Sequence, residues 1–401
     1  MLRFFIFSLF TTCLFANSAY LEKFSNPKPC LTCHKEQATD WGTTWHSKSH
    51  YDSNPLYAAV VDYISLSNYE SKDATLVKCA QCHNPKMTIK TIEDKTSYDL
   101  ANALHLETSQ IKDVANSVED ERIKSGISCY ICHSVDKLHE SNNMKMRGFE
   151  AVEWNTKGVI LGPFEDDGRA GYHKSEQRDH FVNSNKLCMA CHFGGVNDNG
   201  VKLYATGEEF MQSGSTEKCA DCHMSSSRKE IIAPMIVREG IRPKIRDIRS
   251  HLFASARNSN IMKDTLSFKV TDLGSKVDVE VENLTPHNAP SGFGDRSIEI
   301  DVIFKYNGTD IQRGKIILGA TFADKKGVET LPYLATSIKG DSRLKPYEKK
   351  KFTLDKPKGV NAVNIEANYR LISEKMAKMI ELKDPIFLKK YPVGTFTTEL
   401  K

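Results

Sequence analysis

Ten cysteines of this 401-residue chain fall into five pairs, and a histidine directly follows the second cysteine of each pair. In chain order, motifs 1 to 5 are Cys30-Leu-Thr-Cys33-His34, Cys79-Ala-Gln-Cys82-His83, Cys129-Tyr-Ile-Cys132-His133, Cys188-Met-Ala-Cys191-His192 and Cys219-Ala-Asp-Cys222-His223. C-x-x-C-H is the attachment sequence of a c-type haem. Two cysteines three positions apart lie on one side of a helical turn, where both reach the porphyrin vinyl groups. The adjacent imidazole then points at the iron as its proximal axial ligand.

Three other uses of paired cysteines fit this pattern less well. A thioredoxin-like redox pair, a zinc site and a disulfide all use such cysteines. None of them requires a histidine immediately after the second cysteine, and here it follows all five pairs. The sequence therefore predicts five covalently attached haem c groups. The predicted proximal iron ligands are His34, His83, His133, His192 and His223.

The eleventh cysteine, Cys13, lies in an amino-terminal segment with the features of an export signal. Arg3 supplies a positive charge, Phe4–Phe15 form an apolar run too short to span a bilayer, and small residues follow within Ala16–Ala19. This order is typical of a cleaved secretory signal peptide. A signal anchor and a lipoprotein cysteine at Cys13 are the alternatives. We expect residues 1–19 to be the signal peptide, which places the mature chain in the periplasm without a transmembrane segment.

Charge and hydropathy exclude two other classes of protein. The 55 Lys and Arg against 51 Asp and Glu give a formal net charge of +4 without a long basic run, which argues against nucleic acid as a partner. The mean hydropathy is −0.44, and no internal apolar stretch has membrane-spanning length, which excludes a polytopic membrane protein.

The motifs occupy residues 30–223, one in roughly forty residues, so we expect the porphyrins to form much of the hydrophobic core there. Short helices would surround them. Periodicity and loop residues predict these helices at Cys30–His50, Pro55–Leu66, Tyr98–Val118, Glu208–Gln212 and Lys244–Ser259.

From about Asp264 the pattern changes to that of strands, with alternation in Val277–Val281 and Ile298–Val302. Further strand-like runs are Thr265–Thr271, Lys315–Phe322, Lys350–Leu354 and Ala362–Leu371, and a short helix is expected at Ser373–Glu381. The predicted fold class is α+β with two domains. They are a mostly helical multihaem cytochrome c domain at 20–260 and an antiparallel β-sandwich at 261–401, with helix 244–259 at the junction.

Eight histidines outside the motifs are available as second axial ligands. They are His46, His50, His105, His139, His173, His180, His251 and His287. A haem with two histidines is closed and suits electron transfer, whereas an open position would indicate substrate chemistry. The number of histidines does not distinguish five closed haems from four.

Position in the chain gives an order of preference among these candidates. One of His46 and His50 is expected to be a ligand, with His50 favoured. One of His173 and His180, which precede motif 4, is expected to be a ligand, with His173 preferred. His251, after the last motif, is a further expected ligand. The remaining candidates are His105, His139 and the loop residue His287, and methionine is another possible ligand type.

Several connecting segments have a recognisable form. They are Trp41…Trp45-His46-Ser-Lys-Ser-His50, Leu161-Gly-Pro163…His173, Met224 directly after motif 5, and Ser250-His251-Leu-Phe…Ala256. With these, the chain resembles periplasmic multihaem cytochromes c related to the tetrahaem electron acceptor of hydroxylamine oxidoreductase. The C-terminal part resembles a module of larger relatives with an Asn…Gly-His-x-x-Pro-Thr-Gly…Arg loop. Here that loop reads Asn283…Pro286-His287-Asn-Ala-Pro290-Ser291-Gly292…Arg296, so Pro286 replaces the glycine and Ser291 the threonine.

Two main functions remain open, and no catalytic residue is assigned. The favoured one is electron transfer in anaerobic respiration, from a membrane quinol-oxidising cytochrome to a periplasmic terminal reductase. The other is reduction of a small nitrogen or sulfur compound at one open haem, lined by His180, His46 or Arg169. Pentahaem nitrite reductases attach their catalytic haem through C-x-x-C-K, whereas all five motifs here end in histidine. A subunit of a haem filament, and with it a homo-oligomer, is a third and weaker possibility.

Overall fold

The computed structural model describes residues 24, 26–139, 144, 146–165, 172–183, 185–234 and 244–400. The predicted signal peptide lies outside them. The chain divides into two compact units. The first unit contains the residues up to Cys191 together with Lys218–Phe253, and the second contains His192–Glu217 and the chain from Ala254 onwards. The segment 192–217, which sequence analysis assigned to the haem domain, thus belongs with the strand-rich residues.

Every haem motif ends a short helix. The helices are α1 (Lys28–Cys33), α2 (Lys35–Gly42), α3 (Pro55–Asn68), α4 (Lys72–His83), α5 (Lys95–Ala103), α6 (Ser109–Val118), α7 (Glu121–Lys124), α8 (Cys129–His133), α9 (Lys186–His192), α10 (Thr206–Ser213), α11 (Cys219–His223), α12 (Ser259–Met262), α13 (Glu374–Met379) and α14 (Pro385–Leu388). Single 3₁₀ turns are present at Tyr51–Ser53, Gly148–Ala151, Asp179–Phe181 and Pro332–Leu334.

The strands form two larger sheets in the second unit and four short pairs, of which β5–β6 also belongs to the second unit. They are β1 (Val135–Leu138), β2 (Val152–Trp154), β3 (Ile160–Gly162), β4 (Ser175–Gln177), β5 (Gly195–Val196), β6 (Lys202–Tyr204), β7 (Ser227–Glu230), β8 (Arg246–Arg249), β9 (Leu266–Asp272), β10 (Lys276–Asn283), β11 (Ser297–Tyr306), β12 (Thr309–Ala323), β13 (Ser337–Asp341), β14 (Lys349–Asp355), β15 (Ala362–Arg370) and β16 (Tyr391–Glu399). The sheet orders are β14-β10-β9 and β13-β12-β11-β15-β16, with all neighbours antiparallel.

The two sheets of the second unit pack face to face. The side chain of Leu354 on β14 occupies the space above Gly314 on β12, where an added Cβ would lie 2.3 Å from it. Alternate residues of β10 and β11 are fully buried between the sheets. These buried residues are Val277, Val279, Val281, Ile298, Ile300 and Val302. The six predicted strands are confirmed, and β13 and β16 are strands that the sequence reading missed.

Segment 192–217 joins this unit through a buried amide. Asn197 is 8% exposed, and its Nδ2 donates to the carbonyl oxygens of Pro332 at 2.8 Å and Ala335 at 2.7 Å. Paired strands β5 and β6 carry this segment toward helix α10. The chain after motif 4 is thus fixed to the edge of the β-rich unit by bonds that no local sequence pattern indicates.

Helix boundaries in the first unit follow side-chain caps. Asn54 accepts a hydrogen bond from the Tyr57 amide at 3.1 Å, and Pro55 occupies the first turn of α3, as expected at a helix start. Thr108 likewise caps α6 by accepting from the Ile111 amide at 3.2 Å. The single helix predicted over Tyr98–Val118 is therefore wrong, because residues 104–108 separate two helices.

Two other predicted helices need correction. The segment Cys30–His50 contains α1 and α2, and the helical chain ends at Gly42. The junction helix at Lys244–Ser259 is wrong, because residues 246–249 form strand β8 paired with β7. Within β8 only Ile248 is buried, a two-residue alternation that helical periodicity does not produce.

A side-chain core surrounds motif 2 in the first unit. Helix α4 carries the motif and packs against α3 and α6. The buried residues shared among these helices and their connections are Tyr57, Val61, Ala74, Leu76, Val77, Ala80, Met87, Tyr98, Val114, Val118 and Ile123. This part of the unit therefore has a conventional hydrophobic core in addition to the predicted contribution of porphyrins.

The loop before β11 buries a carboxyl group. Asp295 is 6% exposed, and its Oδ2 has no hydrogen-bond partner among the described residues. Burial, with a smaller contribution from the charge of Glu329, raises the pKa of Asp295 to about 8. The folded protein therefore holds this carboxyl in its neutral form at pH 7.

We expect Asp295→Asn to stabilise the protein more strongly as the pH rises. A pKa of about 8 in the folded state, against about 4 unfolded, means that the wild type loses stability between pH 4 and pH 8, by up to about 1.4 kcal/mol per pH unit. Asparagine has no proton to lose. Calorimetric unfolding of the wild-type and Asp295→Asn holoproteins at pH 5 and pH 8 measures the difference in stability between them. A stability difference that is the same at both pH values would contradict the prediction.

Candidate haem-binding site

The motif cysteines of different motifs lie close to one another in the first unit. None of the ten forms a disulfide bond. The thiol of Cys30 in motif 1 hydrogen-bonds to that of Cys129 in motif 3, which lowers the pKa of Cys30 and raises that of Cys129. Since each cysteine would anchor one edge of a haem, the haems of motifs 1 and 3 would have neighbouring edges.

Motif 4 has three such neighbours. Cys191 hydrogen-bonds to Cys82 of motif 2, and Cys188 hydrogen-bonds to Cys219 of motif 5. The hydrogen bond from Cys219 lowers the pKa of Cys188, and that from Cys82 raises the pKa of Cys191; Cys132 of motif 3 lies close enough for its charge to act on both. The motifs are thus connected in the order 1–3–4, and motifs 2 and 5 both adjoin motif 4.

Two motif histidines each face a second histidine from a distant part of the chain. The ring centres of His34 and His173 are 6.2 Å apart, with their planes at 39°. Those of His133 and His251 are 6.4 Å apart, with their planes at 17°. Two imidazoles on opposite sides of one metal, each bonded at about 2 Å, place their ring centres about 6 Å apart. Both pairs therefore have the separation of axial ligands to a single iron.

The hydrogen bonds of these rings select the nitrogen that would bind iron. His133 Nδ1 is 2.6 Å from the Leu161 carbonyl oxygen, and His251 Nδ1 is 3.1 Å from that of Arg249. His173 Nδ1 is 3.3 Å from the Lys174 carbonyl oxygen. A proton on Nδ1 that is donated to a carbonyl leaves Nε2 as the coordinating atom, the arrangement found in metal-bound histidines. His83 of motif 2 has the same arrangement, with Nδ1 3.2 Å from the Ser49 carbonyl oxygen.

Electrostatics favours the neutral, ligating form of these imidazoles. Burial, and then the charge of His251, lowers the pKa of His133 to about 4. Burial lowers the pKa of His34, and the charge of His173 lowers it further. Burial likewise lowers the pKa of His251. Since metal binding requires a neutral imidazole, the first unit keeps these rings ready for iron at physiological pH.

Helix α2, directly after motif 1, positions the ligands of motif 3. Asp40 Oδ2 accepts from the Ser250 hydroxyl at 2.8 Å and from the His251 amide at 3.1 Å. Trp41 Nε1 donates to the Ile127 carbonyl oxygen at 2.8 Å, immediately before motif 3. One helix therefore fixes both the loop carrying His251 and the approach to the motif that it faces.

His50 was the favoured iron ligand after motif 1, but both of its ring nitrogens form hydrogen bonds with the backbone. It is 3% exposed, and its Nδ1 accepts the Asp52 amide hydrogen at 3.2 Å, which caps the 3₁₀ turn at Tyr51–Ser53. Its Nε2 is 3.3 Å from the Val118 carbonyl oxygen, so the proton is on Nε2. Both ring nitrogens are engaged within the protein, and iron ligation by His50 would require at least one of these bonds to break.

Two other predicted distal ligands are at the surface. His105 is exposed in the turn after α5, with φ at +54°. His139 is exposed, with Nε2 3.8 Å from a carboxylate oxygen of Glu153. In the described parts of the chain, neither ring contacts a motif histidine. Arg169, considered above as a lining residue, lies outside the described residues.

The remaining predicted ligand, His287, belongs to the second unit. Asn283 Nδ2 donates to the His287 carbonyl oxygen at 2.7 Å, and His287 Nδ1 is 3.1 Å from the Asn288 carbonyl oxygen. Glu209 on α10 accepts from the Ser291 hydroxyl at 2.6 Å and from the Asn288 amide at 3.2 Å. This buried carboxylate fixes the His287 loop to the helix that follows motif 4.

A guanidinium beside motif 2 that has one buried nitrogen was not found by sequence analysis. Arg147 Nε donates to Gln81 Oε1 at 3.0 Å, whereas its Nη1 is buried without a hydrogen-bond partner among the described residues. Gly148 allows this approach, because it has a φ of +58° and a Cβ there would lie 1.7 Å from the Gln81 carbonyl oxygen. A haem propionate supplies the anionic oxygen that such a donor lacks. The residues present therefore fit a covalently attached haem, and no sequence pattern marks Arg147.

Comparisons with known proteins agree with this chemistry. Residues 65–233 match the family described as outer membrane cytochrome MtrC/MtrF-like, domains II/IV. The penta-haem cytochrome c552 of Thermochromatium tepidum has a similar structure, with a TM-score of 0.67 over 94% of this chain and 98% of that one, at 18% sequence identity. The curli protein CsgC of E. coli aligns to 26% of this chain and 83% of its own, at 10% identity, but its TM-score of 0.15 carries no structural argument. No curated protein matches the sequence.

These findings support a multihaem cytochrome c with covalently bound haem c. The described helices include none that is long and apolar enough to cross a membrane.

Proposed function

We propose that the protein is a periplasmic pentahaem c-type cytochrome that transfers electrons in anaerobic respiration. The observation that carries this proposal is the pair of histidine–histidine separations, 6.2 Å at motif 1 and 6.4 Å at motif 3. Two histidine ligands close an iron to substrate and keep its coordination the same in both oxidation states, which suits electron transfer. The structural likeness to a penta-haem cytochrome is a second support.

The haem supplies an iron that takes up and releases one electron. The chain supplies everything that sets its position and potential. His173 and His251 would be the second iron ligands paired with His34 and His133, and backbone carbonyls fix the tautomers of His173, His251 and His133. Arg147 offers a charged donor to a propionate at motif 2. The axial ligands, hydrogen bonds and burial are the features by which a protein tunes haem potential.

The contacts among the motif cysteines support a conduit. An electron on the haem of motif 1 would pass to motif 3 and then to motif 4, where motifs 2 and 5 provide two further positions. We propose a membrane quinol-oxidising cytochrome as the donor and a periplasmic terminal reductase as the acceptor. Two of the three ends of this branched conduit, which are motifs 1, 2 and 5, would face these two partners.

Electron paramagnetic resonance of the oxidised holoprotein tests the proposed function. We expect low-spin signals that do not change when nitrite, sulfite or hydroxylamine is added, together with rapid oxidation and reduction by soluble mediators. A high-spin haem whose signal shifts with one of these compounds would contradict the carrier and favour reduction at an open haem.

A further inference from the structure

The 3₁₀ turn before motif 4 contains a histidine nitrogen that the protein leaves without a partner. Nε2 of His180 is buried and accepts no hydrogen bond from the described residues. The ring nevertheless donates to the backbone of Val135. Because Nε2 has no partner, the donor in that bond is Nδ1, and Nε2 has a buried lone pair.

A buried nitrogen lone pair without a partner is costly. Removing such a polar group from water without a new hydrogen bond destabilises the folded protein. A trapped water would itself need two to four polar partners, and the neighbouring ring is that of Phe181, 4.7 Å from His180 between ring centres. A metal ion satisfies a lone pair of this kind directly.

The tautomer of His180 is that of the other proposed ligands. His133 and His251 also donate from Nδ1 to a backbone carbonyl, which leaves Nε2 of each ring without a proton. His50 has the reverse arrangement, with its proton on Nε2. By this criterion His180 belongs with the ligands, although its position in the sequence gave no reason to expect two ligands before motif 4.

The segment carrying His180 is held in place between motifs. Phe181 lies 5.3 Å from the His133 ring, with the planes at 13°. The ammonium of Lys218 donates to the Val182 carbonyl oxygen at 2.9 Å, and the Cys219 amide donates to Asn185 Oδ1 at 2.7 Å. These bonds fix the turn to the beginning of the motif 5 helix, so the imidazole has little freedom to move away from its position.

We propose that His180 is an axial iron ligand of a third haem, one of those attached at motifs 2, 4 and 5. The axial pairs of motifs 1 and 3 are already complete with His173 and His251. The role is therefore ligation that closes a haem, and not proton transfer at an open one. This inference rests on the proposed haem attachment, and the test below separates the two.

The test compares His180→Gly with Asn183→Ala in the holoprotein. Asn183 bonds to Asp179 in the same turn at 2.6 Å but has no nitrogen suited to iron, so its replacement controls for disturbance of the turn. We expect His180→Gly to retain five haems by pyridine haemochrome assay while one haem becomes high-spin. Added imidazole should restore the low-spin signal, because it occupies the vacated position. The ratio of reduced to oxidised iron in that haem at a given potential should rise about tenfold. This corresponds to a rise of ~59 mV in its reduction potential for a one-electron couple.

Three outcomes would overturn the assignment. They are an unchanged spin state in His180→Gly, a high-spin haem that imidazole does not restore, and the same change in Asn183→Ala. A wild-type protein with fewer than five haems would instead contradict the proposed function, whatever the variants show.

Discussion

The His251→Gly variant is expected to gain one high-spin haem, at motif 3, that binds carbon monoxide when reduced. The reason is that His251 lies 6.4 Å from His133 between ring centres and has its Nδ1 hydrogen-bonded, so its removal leaves one axial face of that iron open. Loss of a histidine ligand should raise the ratio of reduced to oxidised haem about tenfold at a given potential, which is a rise of ~59 mV in the reduction potential. Optical redox titration and carbon monoxide difference spectra measure both effects.

Leu252→Ala is the matched control for this variant. Leu252 is the next residue in the same loop and is 39% exposed, so its truncation alters the loop without removing an imidazole. We expect wild-type spectra from it. Carbon monoxide binding that is equal in the control and in His251→Gly, or absent from both, would show that His251 does not close the motif 3 haem.

Removal of the haem at motif 4 is expected to interrupt electron transfer more than removal at motif 1. In the Cys188→Ser/Cys191→Ser variant the anchors that adjoin motifs 2, 3 and 5 are lost together. Motifs 2 and 5 would then lose the neighbour that the cysteine contacts of the described chain give them. Stopped-flow reduction should show two of the four remaining haems reduced much more slowly than in the wild type.

Cys30→Ser/Cys33→Ser is the matched variant at the end of the conduit. Motif 1 adjoins only motif 3 through the cysteine contacts of the described chain, so its loss should leave the other four haems equilibrating at the wild-type rate. Equal slowing in the two variants would contradict a branch at motif 4. The haem content of each variant, four per chain, must be established first.

The haem attachments could be predicted from sequence because covalent chemistry fixes their spacing. The strands of the second unit were also predictable, since the two-residue alternation of Val277–Val281 directly reflects burial of one face. Helix ends were less predictable, as Thr108 and Gly42 show, because capping competes with periodicity. The predicted helix at 244–259 failed since Asp40, far away in sequence, binds the chain there in an extended form.

The axial partners could be nominated from the sequence but not matched. His173 and His251 were expected ligands, yet only the fold places them beside His34 and His133. The preference for His50 over other histidines rested on its position after motif 1, which does not reveal that its Nδ1 caps a turn. The hydrogen-bond partners of a histidine show which ring nitrogen carries the proton, and its position in the chain does not.

A crystal structure of the oxidised holoprotein tests the central claim most directly, because it locates each iron and its axial atoms. We predict five irons. The one attached at motif 1 should be bound by Nε2 of His34 and His173, and the one at motif 3 by Nε2 of His133 and His251. An open sixth position at either iron, or a different side chain in it, would contradict the account of a closed electron-transfer conduit.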